Sequence, residues 1–467
     1  MLARSRVWYN VVSCALIGSI LMGGLGCRST QVAQQQASVA PVKLEYWTVY
    51  DDVDVLKALV AKYTAARPYV SVTIRQLRPE EIYQRLIEQL AEDKGPDIIS
   101  VRNRWMSGLK TKLATMPAQV SDNTVQITGD SFNSKTVITP GTRQMITVPQ
   151  LDREYVRSVK QDVVMDNQIY GLPLSLDTMA VFYNKDILDR ANIAEVPKTW
   201  KDLQEATKKI TKLDRTGKIL QAGAALGTST NVPGYDDILY ALFEQSGLRF
   251  VDKISGRPLF ESTRGGSEES QPPGMSVMDF YTDFANPSSE FYSWNKDQPA
   301  ALDSFTNGSL AFFFGYSYHT SAIRARAPQL NFGIVPLFQF NPENPVNVAN
   351  YWVQTVTKKS KNQEAAWALV DYLAHSPVTK EYLDKTNRPT ALRTYISAQQ
   401  DNADLGPFVS QVLVANSWYR GSNYESANQA LGDMISEWQV TIPEGENPVR
   451  WRQNIFDRAA SKILQTF

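Results

Sequence analysis

Two histidines and two cysteines are all that this chain of 467 residues offers to imidazole or thiolate metal ligation and to thiol and imidazole catalysis. His319 and His375 have no partner at ligand or catalytic spacing, and no H-E-x-x-H, G-x-S-x-G, P-loop or dinucleotide fingerprint occurs. A glycosidase needs only two carboxylates. The chain has 48 acids, but no feature of the sequence singles out a pair. The chemistry on offer is therefore binding rather than bond breaking, and the reading is of a non-enzyme without cofactor or metal. Ten Trp and 21 Tyr supply flat apolar faces with polar edges, a surface type that packs on sugar rings. A neutral polar solute also needs hydrogen-bonding side chains, because each polar edge left unpaired in a closed cleft costs about 1–3 kcal/mol. The 48 basic residues balance the 48 acidic ones, which argues against an electrostatic grip on nucleic acid or anionic lipid.

The elements that must position such groups follow from hydrophobic spacing. Residues 43–49 read as a strand, 52–66 as a helix with Val55, Leu56, Leu59, Val60 and Tyr63 on one face, 70–77 as a strand, 79–93 as a helix and 97–101 as a strand. This alternation predicts a mainly parallel sheet flanked by helices, in which ligands sit beyond the carboxyl ends of the strands. Trp47, Tyr50 and Asp51 lie at the end of the first strand, and Asn103, Arg104 and Trp105 at the end of the third. Residues 115–150 are rich in Ser, Thr, Asn, Gly and Pro and read as a long surface excursion with short strands, followed by a helical pattern over 152–165.

Residues 170–185, YGLPLSLDTMAVFYNK, read as a turn and a strand handing over to a helix, with Asp177 inside it. Thr199 is a plausible N-cap for a helix to about residue 213. A buried strand is expected at 223–227, a helix at 236–247 opened by Tyr235 and Asp236, and a core strand at 308–315 followed by Tyr316. Residues 348–357 read as one strand, 362–374 as a helix, and the chain from about 393 to 467 as helical. Several site candidates have a bland alternative. Trp47 sits inside an apolar strand and reads equally as core, Asp51, Asp177 and Asp236 as helix caps, and Arg388 as an ion-pair partner; Phe312, Phe313 and Phe314 read as core.

Arg4 and Arg6 precede an apolar run over residues 7–26, the layout of an export signal. The run ends in GGLGC, so that Cys27 resembles the lipidated cysteine of bacterial lipoproteins, although Gly24 stands where a leucine is usual. A retained membrane anchor or simple secretion are the alternatives. All three place the folded body outside the cytoplasm. Residues 28–41 are polar and low in complexity and read as a flexible tether.

The YGLP…DT…YNK segment at 170–185, GSLAFFFG at 308–315, NFGIVPL at 331–337, NQEAAWALVDYLA at 362–374 and RPTALR at 388–393 resemble, in order, elements of the family 1 extracellular solute-binding proteins, the group of maltose-binding protein. The resemblance spans about residues 42–467 and is weakest over 106–150. It implies a type II periplasmic-binding-protein fold of two discontinuous α/β lobes joined by crossover strands, 42–178 with 335–390 and 179–334 with 391–467. It places Tyr351 and Trp352 beside the ligand, with Arg388 and Trp418 approaching from the last crossing and the C-terminal helices. It further implies a monomer that closes on a solute, expected to be a carbohydrate, and passes it to the permease of an ABC importer. A surface sensor or adhesin of the same fold, or a secreted carbohydrate-active enzyme, are the rival expectations.

Overall fold

The segments VKLEYWT and VSVTIRQ are rich in β-branched and aromatic residues, and both form strands, Val42–Thr48 and Val70–Gln76, paired in parallel along their whole length with Val42 opposite Val70. The computed structural model describes residues 40–49, 52–128, 135–252, 255–261, 273–375 and 377–467. Tyr50, Asp51, Cys27, the export signal and residues 28–39 of the tether lie outside these. Strand Ile98–Arg102 flanks Val42–Thr48 on the other side, again in parallel. The intervening helices Val53–Ala65 and Ile82–Ala91 bury Leu56, Leu59, Val60 and Tyr63, and Ile82, Leu86 and Leu90, at the three- and four-residue spacing of one helix face.

The expected parallel sheet extends only this far. Trp352–Val356 and Leu172–Pro173 complete five strands, and both new pairings are antiparallel. The reason is topological: these strands are not crossovers within the first unit but segments leaving it or returning from elsewhere. Gly171 allows the edge strand to approach, since a Cβ there would lie 2.4 Å from Val353 Cγ1.

A second five-stranded sheet runs Lys212–Leu213, Ile219–Ala224, Leu310–Gly315, Ala180–Asn184, Phe332–Pro336. Every residue of Leu310–Gly315 is buried, as in a central strand covered on both faces. Between the sheets lies a three-stranded ribbon of Asp177–Thr178, Asn347–Asn350 and Ala415–Asn416. The fold is thus two α/β lobes joined by short strands. Here two sequence expectations need correction. The single strand expected within 170–185 is three, and the single strand at 348–357 begins at Asn347, breaks at Tyr351 and serves two sheets. A chain passing from one sheet to another changes partners on the way. Where its ladder lapses, Asn347 substitutes a side-chain amide, donating through Nδ2 to the Met179 carbonyl (2.8 Å) and accepting from the Met179 N–H (3.1 Å).

Two further local readings shift, and the short strands expected in the excursion are present. The helical pattern at 152–165 is two helices, Val148–Glu154 and Arg157–Val163, the first opened by a Thr147–Gln150 capping box. Residues 393–467 contain the helices Tyr424–Trp438 and Pro448–Leu464 but also the ribbon strand Ala415–Asn416. The 115–150 excursion pairs Gln119–Ser121 with Thr142–Gln144 and Thr124–Thr128 with Lys135–Thr139. Its base is pinned by Asp122, which accepts from Arg143 at 2.7 Å and from Arg67 at 2.8 Å. Thr199 caps helix Trp200–Ile210 as expected, accepting from the Asp202 N–H.

Candidate functional site

Two adjoining cavities of about 220 and 400 Å³ share Arg102, Tyr318 and Asn350 in their walls. They open where strands of both lobes end. Val49 follows Val42–Thr48, Arg102 closes Ile98–Arg102, and Tyr316 and Tyr318 follow Leu310–Gly315. Asn350 closes the middle ribbon strand. Parallel strands end here in the loops that lead into the following helices, which is why open α/β sheets bind there.

The larger cavity is walled by a buried charge network. Gly234, at φ +73°, starts helix Tyr235–Gln245 without a side-chain cap, and Asp236 and Asp237 occupy its first turn, where the helix dipole favours negative charge. Arg104 reaches them from the short 3-10 turn Asn103–Trp105 after the first-lobe strand. Its Nη1 donates to Asp236 Oδ2 at 3.0 Å and to the Tyr424 hydroxyl at 2.7 Å, while its Nη2 lies 2.6 Å from Asp237 Oδ2. The Tyr316 hydroxyl donates to Asp237, and the Tyr424 hydroxyl and Trp418 Nε1 to Asp236. Burial works against the Arg104 cation, but Asp237, the Tyr424 hydroxyl and Asp236 overcome it and hold the guanidinium well above its usual range. Burial pushes the Asp237 carboxyl up, opposed by Arg104. The arrangement ties a first-lobe loop to a second-lobe helix.

The smaller cavity reaches the ribbon. Asp177 there accepts the Ser317 N–H (2.8 Å) and hydroxyl (2.6 Å) on one oxygen and the Thr178 N–H on the other. Burial pushes its carboxyl up to about 7, against the opposing hydrogen bond from Ser317 and the Arg388 charge. Across this cavity stand Trp352 and Tyr318, the latter 42% exposed and stacked on Tyr316 with ring centroids 5.8 Å apart.

Of the residues singled out in the sequence, Arg104, Asp177, Tyr235, Asp236, Tyr316, Tyr351, Trp352 and Arg388 line one cavity or the other. Tyr351 sends its hydroxyl away, to Asp162 at 2.7 Å, and Arg388 pairs with Asp52 at 3.2 Å. Four others lie behind the walls. Trp47 is 2% exposed within the first sheet, its Nε1 donating to Glu45, so the core reading of this residue is the right one. Asn103 is spent on Ser417 (2.7 Å) and the Ala349 carbonyl. Trp105 packs edge-on against Trp352 at 5.6 Å, and Trp418 supports Asp236 from among Phe250, Tyr419 and Tyr424. Arg102, Asp237, Tyr318 and Asn350 also line these cavities and are not among the residues singled out in the sequence. Asp237 had a signal, a second acid in the first turn of a helix; Tyr318 had one too, two residues beyond Tyr316 after a core strand. His319 is structural, its Nδ1 accepting the Tyr316 N–H, with burial pushing it down to about 4. Among the described residues no cluster of His, Cys, Asp and Glu could hold a metal ion, and no helix is long and apolar enough to cross a membrane.

The sequence profile described as "Bacterial extracellular solute-binding protein" matches residues 50–379. Among individual proteins, a binding protein of Brucella abortus is 24% identical over 268 residues, 55% of this chain and 59% of the relative. The galactooligosaccharide-binding protein of Bacillus subtilis is 24% identical over 290 residues, 60% of this chain and 62% of its own length. The chain thus spans about three fifths of these curated relatives. Among solved structures, an ABC transporter solute-binding protein of Thermotoga lettingae bound to tagatose superposes with a TM-score of 0.67 at 18% identity, covering 91% of this chain and 99% of the other. The cyclic maltosyl-maltose binding protein of Arthrobacter globiformis gives 0.68 at 18% identity, with coverages of 91% and 99%.

Proposed function

Because the chain belongs to the bacterial extracellular solute-binding proteins, a family of binding proteins rather than enzymes, we propose that it captures a carbohydrate between its lobes and delivers it to an ABC importer. The observation that carries this is the cleft itself, which sets the ring faces of Tyr318 and Trp352 beside the polar groups of Arg102, Asn350 and Asp177. Ring faces cover the apolar flats of a sugar, and the polar groups match its hydroxyls. The proposed lobes are 42–178 with 335–390 and 179–334 with 391–467, so that a bound solute gains contacts from both only in the closed form. The sugars bound by the Bacillus, Thermotoga and Arthrobacter proteins support the solute class. On this reading the protein acts as an exported monomer without enzymatic activity, lipidated at Cys27 and tethered to the outer face of the membrane.

Calorimetry against mono- and oligosaccharides, with small-angle scattering on the same samples, tests the proposal. Binding with compaction is expected. Tyr318→Ala should weaken it about tenfold, the effect of losing about 1.4 kcal/mol of ring contact, with little change in unfolding because the ring is partly exposed. Failure of every saccharide to bind refutes the solute class.

A further inference from the structure

Three arginines line the cleft, and they differ in what neutralises them. Arg104 is held by Asp236 and Asp237, and Arg388 by Asp52. Arg102, in the wall common to both cavities, has no carboxylate within ion-pair distance among the described residues. Its Nε is buried without a hydrogen-bond partner. Its guanidinium is nevertheless fixed in place, lying over the Trp352 ring at 5.3 Å and the Trp105 ring at 5.7 Å. Those contacts stabilise a cation and set the plane of its fork, but they leave its hydrogen-bonding edge unanswered.

The acids of the cleft do not answer it either. Asp177 is taken up by Ser317 and Thr178, and Asp236 and Asp237 by Arg104, Tyr316 and Tyr424. Glu80 and Glu425 stand at the exposed margins, at no ion-pair distance from Arg102. Closing such a cleft on a neutral sugar would take a partly buried cation further from water with no opposite charge among the described residues to meet it, an unfavourable change. A carboxylate on the solute would meet it with two parallel hydrogen bonds, the geometry a guanidinium fork presents.

We propose that the solute is an acidic saccharide whose carboxylate sits on Arg102 at the junction of the two cavities, with neighbouring rings extending past Tyr318 and Trp352. This rests on the saccharide reading above and narrows it to uronate-containing sugars. Arg102 is then the specificity-determining residue, and the indoles of Trp105 and Trp352 are its positioning groups.

Calorimetry at low ionic strength with trisaccharides of gluco, galacto and manno configuration, each as the free uronate, its methyl ester and the neutral hexose, decides the matter. For the configuration that binds, the free uronate should bind at least about tenfold more tightly than its ester. Arg102→Gln should abolish that margin, bringing the free uronate and its ester to the same affinity, and Arg102→Lys, which retains charge without the planar fork, should keep only part of it. A margin below tenfold in the wild-type protein, or one that survives in Arg102→Gln, overturns the assignment and leaves the saccharide reading standing. If no saccharide of either kind binds, that reading falls and this one with it.

Discussion

Replacing Arg104 by methionine measures whether the ligand-free lobes are held together in solution. The Arg104 side chain is 5% exposed, and its partners Asp236 and Asp237 are 4% and 1% exposed. The substitution removes contacts of 3.0 Å to Asp236 and of 2.5 and 2.6 Å to Asp237 and leaves two buried carboxylates side by side. Breaking a buried pair by deleting one partner costs about 3–5 kcal/mol, whereas an exposed pair costs at most about 1 kcal/mol. The hydroxyls of Tyr316 and Tyr424 still donate to the orphaned acids, which places the expectation near 3 kcal/mol, the lower end of that range. The loss also depends on pH. Without the guanidinium the Asp237 carboxyl, already pushed up by burial, titrates higher still, so stability falls as pH rises, and the deficit is larger at pH 8 than at pH 5. The double variant Arg104→Met with Asp237→Asn leaves one buried charge instead of two and should recover part of the deficit. Urea unfolding of ligand-free protein followed by tryptophan fluorescence gives these values. A loss under about 1 kcal/mol at pH 8 would refute the reasoning, because it would mean that Arg104 is hydrated and the lobes stand apart.

Two other substitutions probe separate parts of the frame. Asp177 titrates at about 7 when folded, above its unfolded range, so its contribution is most favourable at low pH and is lost as pH rises from about 4 to 7. Asp177→Asn should therefore match the wild type near pH 4 and exceed it in unfolding free energy by up to about 4 kcal/mol at pH 8; a constant difference across this range would count against the burial argument. Asp122→Ala strips a shared acid from Arg67 and Arg143 at the base of the excursion, though Arg143 keeps Asp371 at 3.1 Å. It should lower stability by about 3 kcal/mol in the same unfolding assay without altering saccharide affinity, and a loss of affinity would show that the excursion shapes the cleft.

The first βαβαβ unit was legible because its signals are local. Alternation in VKLEYWT and the spacing of Leu56, Leu59 and Tyr63 are properties of single segments. The ribbon between the lobes was not legible, because nothing in the propensities of residues 348–357 says that Asn350 belongs to one sheet and Trp352 to another. That division depends on where two sheets end in space. The site divides the same way. Arg104, Asp236 and Tyr316 were accessible as residues just past strand ends or at a helix start, positions fixed by local pattern. Trp47 was drawn in as an aromatic near the end of the first strand and Trp418 by the resemblance, and both are buried supports. Being aromatic says that a ring packs on something; only the fold says whether that something is protein or solute.

Arg102 and Arg104 carry this argument to its sharpest point, since they have the same side chain two positions apart. Within a strand, residues two apart face the same side. Here the strand ends at Arg102, and the 3-10 turn Asn103–Trp105 turns the next arginine towards the helix that begins with Asp236 and Asp237. One guanidinium becomes internal glue because two acids lie within its reach, and the other, held against two indoles, meets no acid among the described residues. What separates a structural arginine from the proposed binding one in this cleft is therefore the end point of a single strand.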